Sequence, residues 1–245
     1  MKKIDFKNIY SNTKDKLKSI NTITWLIILT GFYLAGSVMQ NILAAKSFGN
    51  EFIAITTGGT LISWMVFGCI DVITEVWGKN RAIKTFIGGA LLNLFFNIIC
   101  WIAIAIPGTS DFIQGSYSTT LGTGWRIVLA SITAFLTGTY INTLIMHVMK
   151  LKSKDSNNSI GFMIRSTIST FVGQFVDNFL FYLIAFSPIG IPGTIENSWI
   201  MILELATFTT LLETIVQGLV SPIAAKFVKY LKKKKELEEE KINEK

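Results

Sequence analysis

The fold is decided by stretches such as residues 83–106, IKTFIGGALLNLFFNIICWIAIAI, in which Lys84 is the single charged side chain. A helix of 24 residues is about 36 Å long, which exceeds the hydrocarbon core of a bilayer at about 30 Å. A segment of this length and composition predicts a helix that crosses a membrane.

The same character extends over most of the chain. Only 16% of the 245 residues are charged, 50% are hydrophobic, and the mean hydropathy is +0.48. The first and last twenty residues hold 14 Lys and seven acidic residues, so nine basic and nine acidic residues remain for the 205 residues between them. This composition excludes a water-soluble domain, which would expose large apolar patches. The net charge is +7, but the basic residues cluster beside apolar segments and favour lipid headgroups over nucleic acid as the partner.

Six apolar windows can be placed along the chain, at residues 22–45, 52–77, 83–106, 126–149, 161–187 and 199–225. They predict an all-α polytopic membrane protein with six transmembrane helices. The connecting segments and termini on one side hold 21 basic residues, against only Lys46 and Arg126 on the other. This asymmetry predicts that both termini are cytoplasmic.

Three regions follow from the same pattern. Residues 1–21 form a basic N-terminal segment, residues 22–225 the six-helix transmembrane domain, and residues 226–245 a charged C-terminal helix or tail. The lysine block of the tail is interpreted as an anchor for lipid headgroups. The external connection that holds Pro107, Gly108 and Asp111 is predicted to form surface turns.

Five carboxylates lie inside the predicted spans, where an ionisable group costs about 2.5–3.5 kcal/mol and is a site candidate by default. They are Asp71, Glu75, Asp177, Glu204 and Glu213. No Lys or Arg lies deep enough for an obvious pairing, so we expect these groups to hold protons, meet a cation or accept hydrogen bonds from a ligand. Glu204 lies nearer the outer end of its span, where water can reach it.

Asp71 and Glu75 share one helix face because they are four residues apart, and Trp64 lies on the same stripe. An aromatic ring beside paired carboxylates suits a flat heterocycle that is rich in hydrogen-bond donors. An alternative for Glu75 is a snorkelling side chain near Lys79 and Arg81.

Polar side chains recur in the other spans. The candidates are Gln174, Asp177 and Asn178 on one stripe of the fifth span, Glu213 with Gln217 one turn on, and the amides Asn41, Asn93 and Asn97. The amides have a simpler interpretation as hydrogen bonds between helices. The pair Gly58-Gly59 is expected to loosen the outer third of the second span, as broken helices do in transporters.

Enzyme and metal motifs are missing from the sequence. It contains no GxxxxGK[ST], HExxH or GxSxG. Cys69 and Cys100 fall in apolar stretches and His147 has no second ligand at a suitable spacing, so we expect neither a metal nor a cofactor. An intramembrane hydrolase using Asp71 and Asp177 would need the two carboxylates about 3 Å apart.

Residues 71–78, DVITEVWG, followed by Lys79, Arg81 and Lys84, resemble the DxxTEVYG signature of the queuosine-precursor transporter family, also described as vitamin-uptake-transporter-like proteins. Residues 173–178, GQFVDN, resemble the G[NQ]xxD[TN] segment of that family. Asn41 and the Ser221-Pro222 pair also stand where family members carry similar residues. The resemblance covers about residues 22–225, and Trp77 stands where the family usually has Tyr.

The resemblance implies an importer in the bacterial inner membrane, for 7-deazaguanine bases or queuine used in tRNA modification, that works by secondary or facilitative transport. A guanine-like edge offers two adjacent N–H donors, which one carboxylate can accept. We hypothesise that Asp71 and Asp177 face each other across one cavity, where one accepts the base edge and the other meets an amine. Trp64 or a neighbouring Phe would stack on the ring.

Two other functions and two structural features are also considered. The chain could be the substrate-binding subunit of a multi-component vitamin-type transporter, or the intramembrane aspartyl hydrolase described above. Three spans in each direction are compatible with a 3+3 inverted repeat in which Asp71 and Asp177 are counterparts. The small residues Gly88-Gly89-Ala90 suit either a homodimer interface or packing inside one protomer.

Overall fold

A computed structural model describes residues 20–44, 46–49, 54–122, 125–153, 159–186 and 199–243. The described elements, in chain order, are α1 (Thr22–Ala44), β1 (Ser47–Gly49), β2 (Ala54–Thr57), α2 (Thr60–Trp77), α3 (Lys79–Ala105), α4 (Asp111–Leu121), α5 (Trp125–Lys152), α6 (Ser159–Phe186) and α7 (Trp199–Asn243).

Six of these helices, all except α4, are long and apolar enough to cross a membrane. The all-α prediction with six transmembrane helices is therefore confirmed. Large apolar side chains remain exposed along their outer faces, for example Leu91, Phe95 and Leu219 at 62%, 60% and 73%. These faces suit lipid, because a bilayer solvates apolar side chains as readily as a protein interior does.

The predicted second span, residues 52–77, is too long. Helix α2 begins only at Thr60, and residues 54–57 form a strand that pairs antiparallel with β1, Phe48 lying opposite Thr56. Gly58 and Gly59 form the turn between strand and helix, which confirms the expected break. Thr and Gly are poor helix formers, so the helix does not extend toward the N-terminus beyond Thr60 although the segment is apolar.

The connection after α3 is also more regular than predicted. Residues Asp111–Leu121 form helix α4, which begins at a Ser110 side chain that accepts a hydrogen bond from the Ile113 N–H at 3.3 Å. Gln114 ties the helix to the end of α3 by donating to the Ile104 carbonyl at 2.8 Å. The turn residues Pro107 and Gly108 therefore precede a helix, with Ser110 as its N-cap.

The bundle has two distinct ends. We name one the terminal end, because it holds the start of α1 and the last part of α7; the helix ends Thr22, Trp77, Lys152 and Ser159 lie there. We name the other the hairpin end, because it holds the β1–β2 hairpin. At the terminal end α2 passes directly into α3 through Gly78, whose φ of +88° is readily adopted only by glycine. The hydrogen bond from the Gly78 N–H to the Thr74 carbonyl, 3.1 Å, closes the last turn of α2.

Helix α7 continues without interruption across the predicted domain boundary at residue 225. Ala225, Val228 and Leu231 are buried in one apolar cluster with Tyr33 and Ile73. The first turns of the predicted tail therefore pack against the bundle, while the division into three regions stays a prediction.

The small residues of α3 face inward. A Cβ at Gly89 would lie 2.9 Å from the Tyr33 ring, and Ala90 is buried. This stripe packs against α1 inside the protomer. Gly89 and Ala90 therefore give no support to a homodimer interface, and the homodimer stays a prediction. Cys69 and Cys100 are buried and free, as expected for small apolar side chains.

Candidate functional site

A cavity lies between the helices toward the hairpin end of the bundle. All six spanning helices and β2 contribute to its wall. Its polar lining includes Ser37, Gln40, Asn41, Thr57, Thr60, Asn93, Asp177, Asn178, Thr209 and Glu213, and its rings are Phe135, Phe181 and Tyr182. Five residues predicted from the sequence are thus brought together, namely Asn41, Asn93, Asp177, Asn178 and Glu213.

The two carboxylates of the cavity differ in their environment. Glu213 is 3% exposed, and its Oε2 accepts a hydrogen bond from Asn178 Nδ2 at 2.9 Å. The same amide nitrogen lies 3.1 Å from Thr210 Oγ1. Asp177 is partly exposed, and within the described parts of the chain no donor reaches its carboxylate. Glu213 is therefore held in place, whereas both Asp177 oxygens are available to a ligand.

An amide network contributes to the cavity lining. Asn41 Nδ2 donates to Asn93 Oδ1 at 2.8 Å, and Asn41 Oδ1 accepts from Ser131 Oγ at 3.0 Å. Asn93 Nδ2 donates to Ser37 Oγ at 3.1 Å. This network joins α1, α3 and α5 and fixes both polar atoms of Asn41.

Other predicted candidates lie outside the lining. Asn97 donates to the Asn93 carbonyl at 2.8 Å, a bond within α3. The Trp64 indole N–H donates to the Leu61 carbonyl at 2.9 Å, so the hypothesis that Trp64 stacks on a ligand in this cavity receives no support. Glu204 is exposed, and Gln174 is fully buried.

Asp71 lies deeper, between the cavity and the terminal end. It is fully buried and is not among the described residues that line the cavity, so the hypothesis that it faces Asp177 across this space receives no support from this cavity. Its Oδ1 accepts from Asn142 Nδ2 at 2.8 Å, and its Oδ2 accepts from Ser166 Oγ at 2.5 Å and Thr170 Oγ1 at 3.3 Å. Gln217 Nε2 lies 3.5 Å from the same oxygen. The first half of the chain thus inserts Asp71 among three helices of the second half.

Glu75, one turn further on α2, joins the same three helices through charge. Its Oε1 lies 2.5 Å from Lys232 Nζ, 3.1 Å from Arg165 and 3.8 Å from Lys150 Nζ. Lys150 also donates to the Glu75 carbonyl, and Lys235 donates to the Val76 carbonyl at 3.3 Å. We name Glu75, Arg165, Lys150 and Lys232 the charge cluster.

The charge cluster corrects three sequence-based interpretations. A basic partner does lie deep enough to pair with an intramembrane carboxylate, because Arg165 is only 3% exposed. Glu75 is fully buried and pairs with other helices, so it does not snorkel toward Lys79 and Arg81. Lys232 of the tail binds Glu75 and is more than a headgroup anchor.

Two glycines bring α5 and α6 into close contact and so position both sites. A Cβ at Gly138 would lie 2.6 Å from Asp177 Cβ and 2.7 Å from the Gly173 carbonyl oxygen. A Cβ at Gly173 would lie 2.6 Å from Asn142 Cβ. Small residues at a helix crossing permit this approach in membranes. Asp177 therefore sits directly over Gly138.

Sequence reasoning missed most of the partners of Asp71 and Glu75. Ser166 and Thr170 were missed although they continue the stripe of Gln174 and Asn178 at four-residue spacing, which is a detectable signal. Asn142 is a single amide in an apolar helix and carries no such signal.

Residues 57–226 match the family described as "Putative vitamin uptake transporter". The chain belongs to this vitamin uptake transporter family. The match confirms the family expected from the DVITEVWG motif and identifies a multi-pass membrane transporter. It includes Asp71, Glu75, Asp177 and Glu213, whereas Asn41 and Lys232 lie outside the matched range. No curated protein and no solved structure matches the chain.

Proposed function

We propose that this protein imports queuosine precursors, 7-deazaguanine bases or queuine, for tRNA modification. The observation that carries the proposal is the pair of carboxylates, Asp177 and Glu213, in a cavity whose lining, as far as the structure describes it, contains no Lys or Arg. Membership of an uptake-transporter family and the sequence motifs support the same conclusion.

The cavity offers a complementary group for each part of such a ligand. Asp177 has both oxygens available, so it can accept the ring N–H and the exocyclic amine of a guanine-like edge as a bidentate pair. Glu213 then meets the protonated amine of an aminomethyl base or of queuine. Phe135, Phe181 and Tyr182 provide faces for stacking on the ring. This assignment replaces the pairing of Asp71 with Asp177.

The two ends of the bundle suit alternating access. The cavity lies toward the hairpin end, whereas the charge cluster ties α2, α5, α6 and α7 together at the terminal end. The basic residues predict that the terminal end is cytoplasmic in the bacterial plasma membrane. On this assignment a ligand enters the cavity from outside, and release requires the charge cluster to separate. The transport is secondary or facilitative.

The test is restoration of tRNA modification in bacteria that neither synthesise queuosine nor carry an importer of their own. The cells receive each precursor base or queuine at low concentration, together with the downstream enzymes that the ligand needs. We expect this chain to restore modification and Asp177→Asn or Glu213→Gln to abolish it at low ligand concentration. Asp111→Asn and Glu204→Gln are matched controls, because both residues are exposed and lie outside the cavity lining.

Two results would overturn the proposal. One is no restoration with any ligand despite confirmed membrane expression. The other is full activity of the Asp177→Asn, Glu213→Gln double variant, which would refute the assigned site. Co-purification with an ATPase and a second membrane subunit would favour the binding-subunit alternative. The hydrolase alternative gains no support from the cavity, because Asp71 is not among the described residues that line it with Asp177.

A further inference from the structure

The Asp71 site has the composition of a cation site. Asp71 is fully buried, and within the described residues it forms no ion pair. Its hydrogen-bond partners are Asn142, Ser166, Thr170 and Gln217. Donation from several neutral groups stabilises the ionised form of a carboxylate but leaves its negative charge without a counter-ion.

Within the part of the chain that the structure describes, two amide side chains next to Asp71 each have an oxygen that accepts no hydrogen bond. Asn142 Nδ2 donates to the carboxylate, and Gln217 Nε2 donates to Ser166 Oγ at 3.2 Å and lies 3.5 Å from Asp71 Oδ2. Among the described residues, no donor reaches the buried oxygens Asn142 Oδ1 and Gln217 Oε1. These side chains are 0% and 1% exposed. A buried acceptor without a partner is costly. Rotating either amide about its last bond exchanges its nitrogen and oxygen, which places an oxygen beside the carboxylate.

We propose that Asp71, Asn142, Ser166, Thr170 and Gln217 form a binding site for Na⁺. Together they supply carboxylate, amide and hydroxyl oxygens from α2, α5, α6 and α7, the ligand type that hard cations prefer. A metal ion neutralises Asp71 and coordinates both amide oxygens at once. A proton on Asp71 would provide a single O–H donor, which serves at most one of those oxygens.

The position of this site suits coupling to transport. Gln217 lies one turn from Glu213 on α7, and Thr170 lies two turns from Asn178 on α6, so the same helices carry the Na⁺ ligands and the cavity residues. On the other side, Ser166 follows Arg165 of the charge cluster. Na⁺ at Asp71 therefore holds together the helices that must separate during release. This coupling role rests on the proposed function, whereas binding itself does not.

Binding is tested on the purified full-length protein, without a transport substrate. Its thermal unfolding is measured in NaCl, KCl and choline chloride at equal ionic strength. We expect Na⁺ to raise the Tm, because a ligand that binds only the folded state stabilises it by mass action. Asp71→Asn should lose this Na⁺ dependence and Asp111→Asn should keep it. Equal Tm values in the three salts for the unmodified protein would overturn the proposal, even if the variant failed to fold.

Coupling is tested in proteoliposomes with a labelled aminomethyl precursor base. We expect replacement of external Na⁺ by choline to lower the initial rate of uptake about 5- to 150-fold, the change in affinity to which typical coupling free energies between two sites correspond. Uptake that is equal in both media, or that depends only on a proton gradient, would refute Na⁺ coupling and leave the proposed function intact. If Na⁺ raises the Tm but no precursor is transported, the cation site stands and the proposed function fails.

Discussion

Replacing Glu75 by Gln tests whether the charge cluster holds the terminal end together. The substitution keeps the size of the side chain and removes the carboxylate that neutralises Arg165, Lys232 and Lys150. Lys232 and Lys150 are 16% and 26% exposed and can turn toward water. Arg165 is 3% exposed and has no such escape. Most of the cost therefore comes from the buried Arg165 charge.

Breaking a buried ion pair by removing one partner costs about 3–5 kcal/mol. We take the lower limit, about 3 kcal/mol, because the two lysines can rehydrate. For a chain of this size that loss lowers the Tm by about 6–12 °C. Thermal unfolding of the purified protein, followed in one detergent, measures the difference.

Glu239→Gln is the matched control. Glu239 is 62% exposed and lies 3.9 Å from Lys235, so its pair contributes at most about 1 kcal/mol. The double variant Glu75→Gln, Arg165→Gln should recover part of the lost stability, because it also removes the buried charge that Glu75 pairs with. If the Tm of Glu75→Gln lay within about 2 °C of the Tm of the unmodified protein, a shift no larger than that expected for the control, the buried ion pair would be refuted. Equal Tm values for the single and double variants would refute the assignment of the cost to Arg165.

Two further predictions concern packing and capping. Gly138→Ala places a methyl group 2.6 Å from Asp177 Cβ, and we expect a loss of about 1–3 kcal/mol in thermal unfolding together with weaker uptake; unchanged uptake and Tm would contradict the close α5–α6 crossing. Glu238→Ala removes the acceptor of the Thr22 N–H and hydroxyl at 3.1 and 2.5 Å, and should cost about 1 kcal/mol with unchanged uptake. Glu240→Ala, an exposed glutamate on the same helix, is its control.

The spans could be predicted because hydropathy over about 20 residues is a local property. The same reasoning placed α2 too early and missed α4. Apolar content does not distinguish the strand at Ala54–Thr57 from a helix, and the Ser110 cap follows two turn residues that suggested irregular structure. Both errors fall where local backbone preference, rather than hydropathy, decides the conformation.

The candidate site was predictable by residue type but not by partner. A carboxylate in an apolar helix is costly, so Asp71, Glu75, Asp177 and Glu213 could be selected from composition alone. The same argument also selected Glu204, which is exposed. Periodicity also placed Asp71 and Glu75 on one helix face. It could not show that Asp71 contacts neutral hydrogen-bond donors whereas Glu75 contacts basic side chains, because the neighbours of each lie on helices that are distant in the sequence.

By itself, the sequence determined the membrane environment, the number of spanning helices and the family, and it selected most of the carboxylates that face the interior. The tertiary structure alone decided that Glu75 meets Arg165 and Lys232, that Asp71 is enclosed by neutral donors, and that Asp177 shares its cavity with Glu213. The physical reason is the range of the interactions. Hydropathy and helix periodicity act over a few turns of one segment, whereas hydrogen bonds and ion pairs between helices depend on how the helices pack.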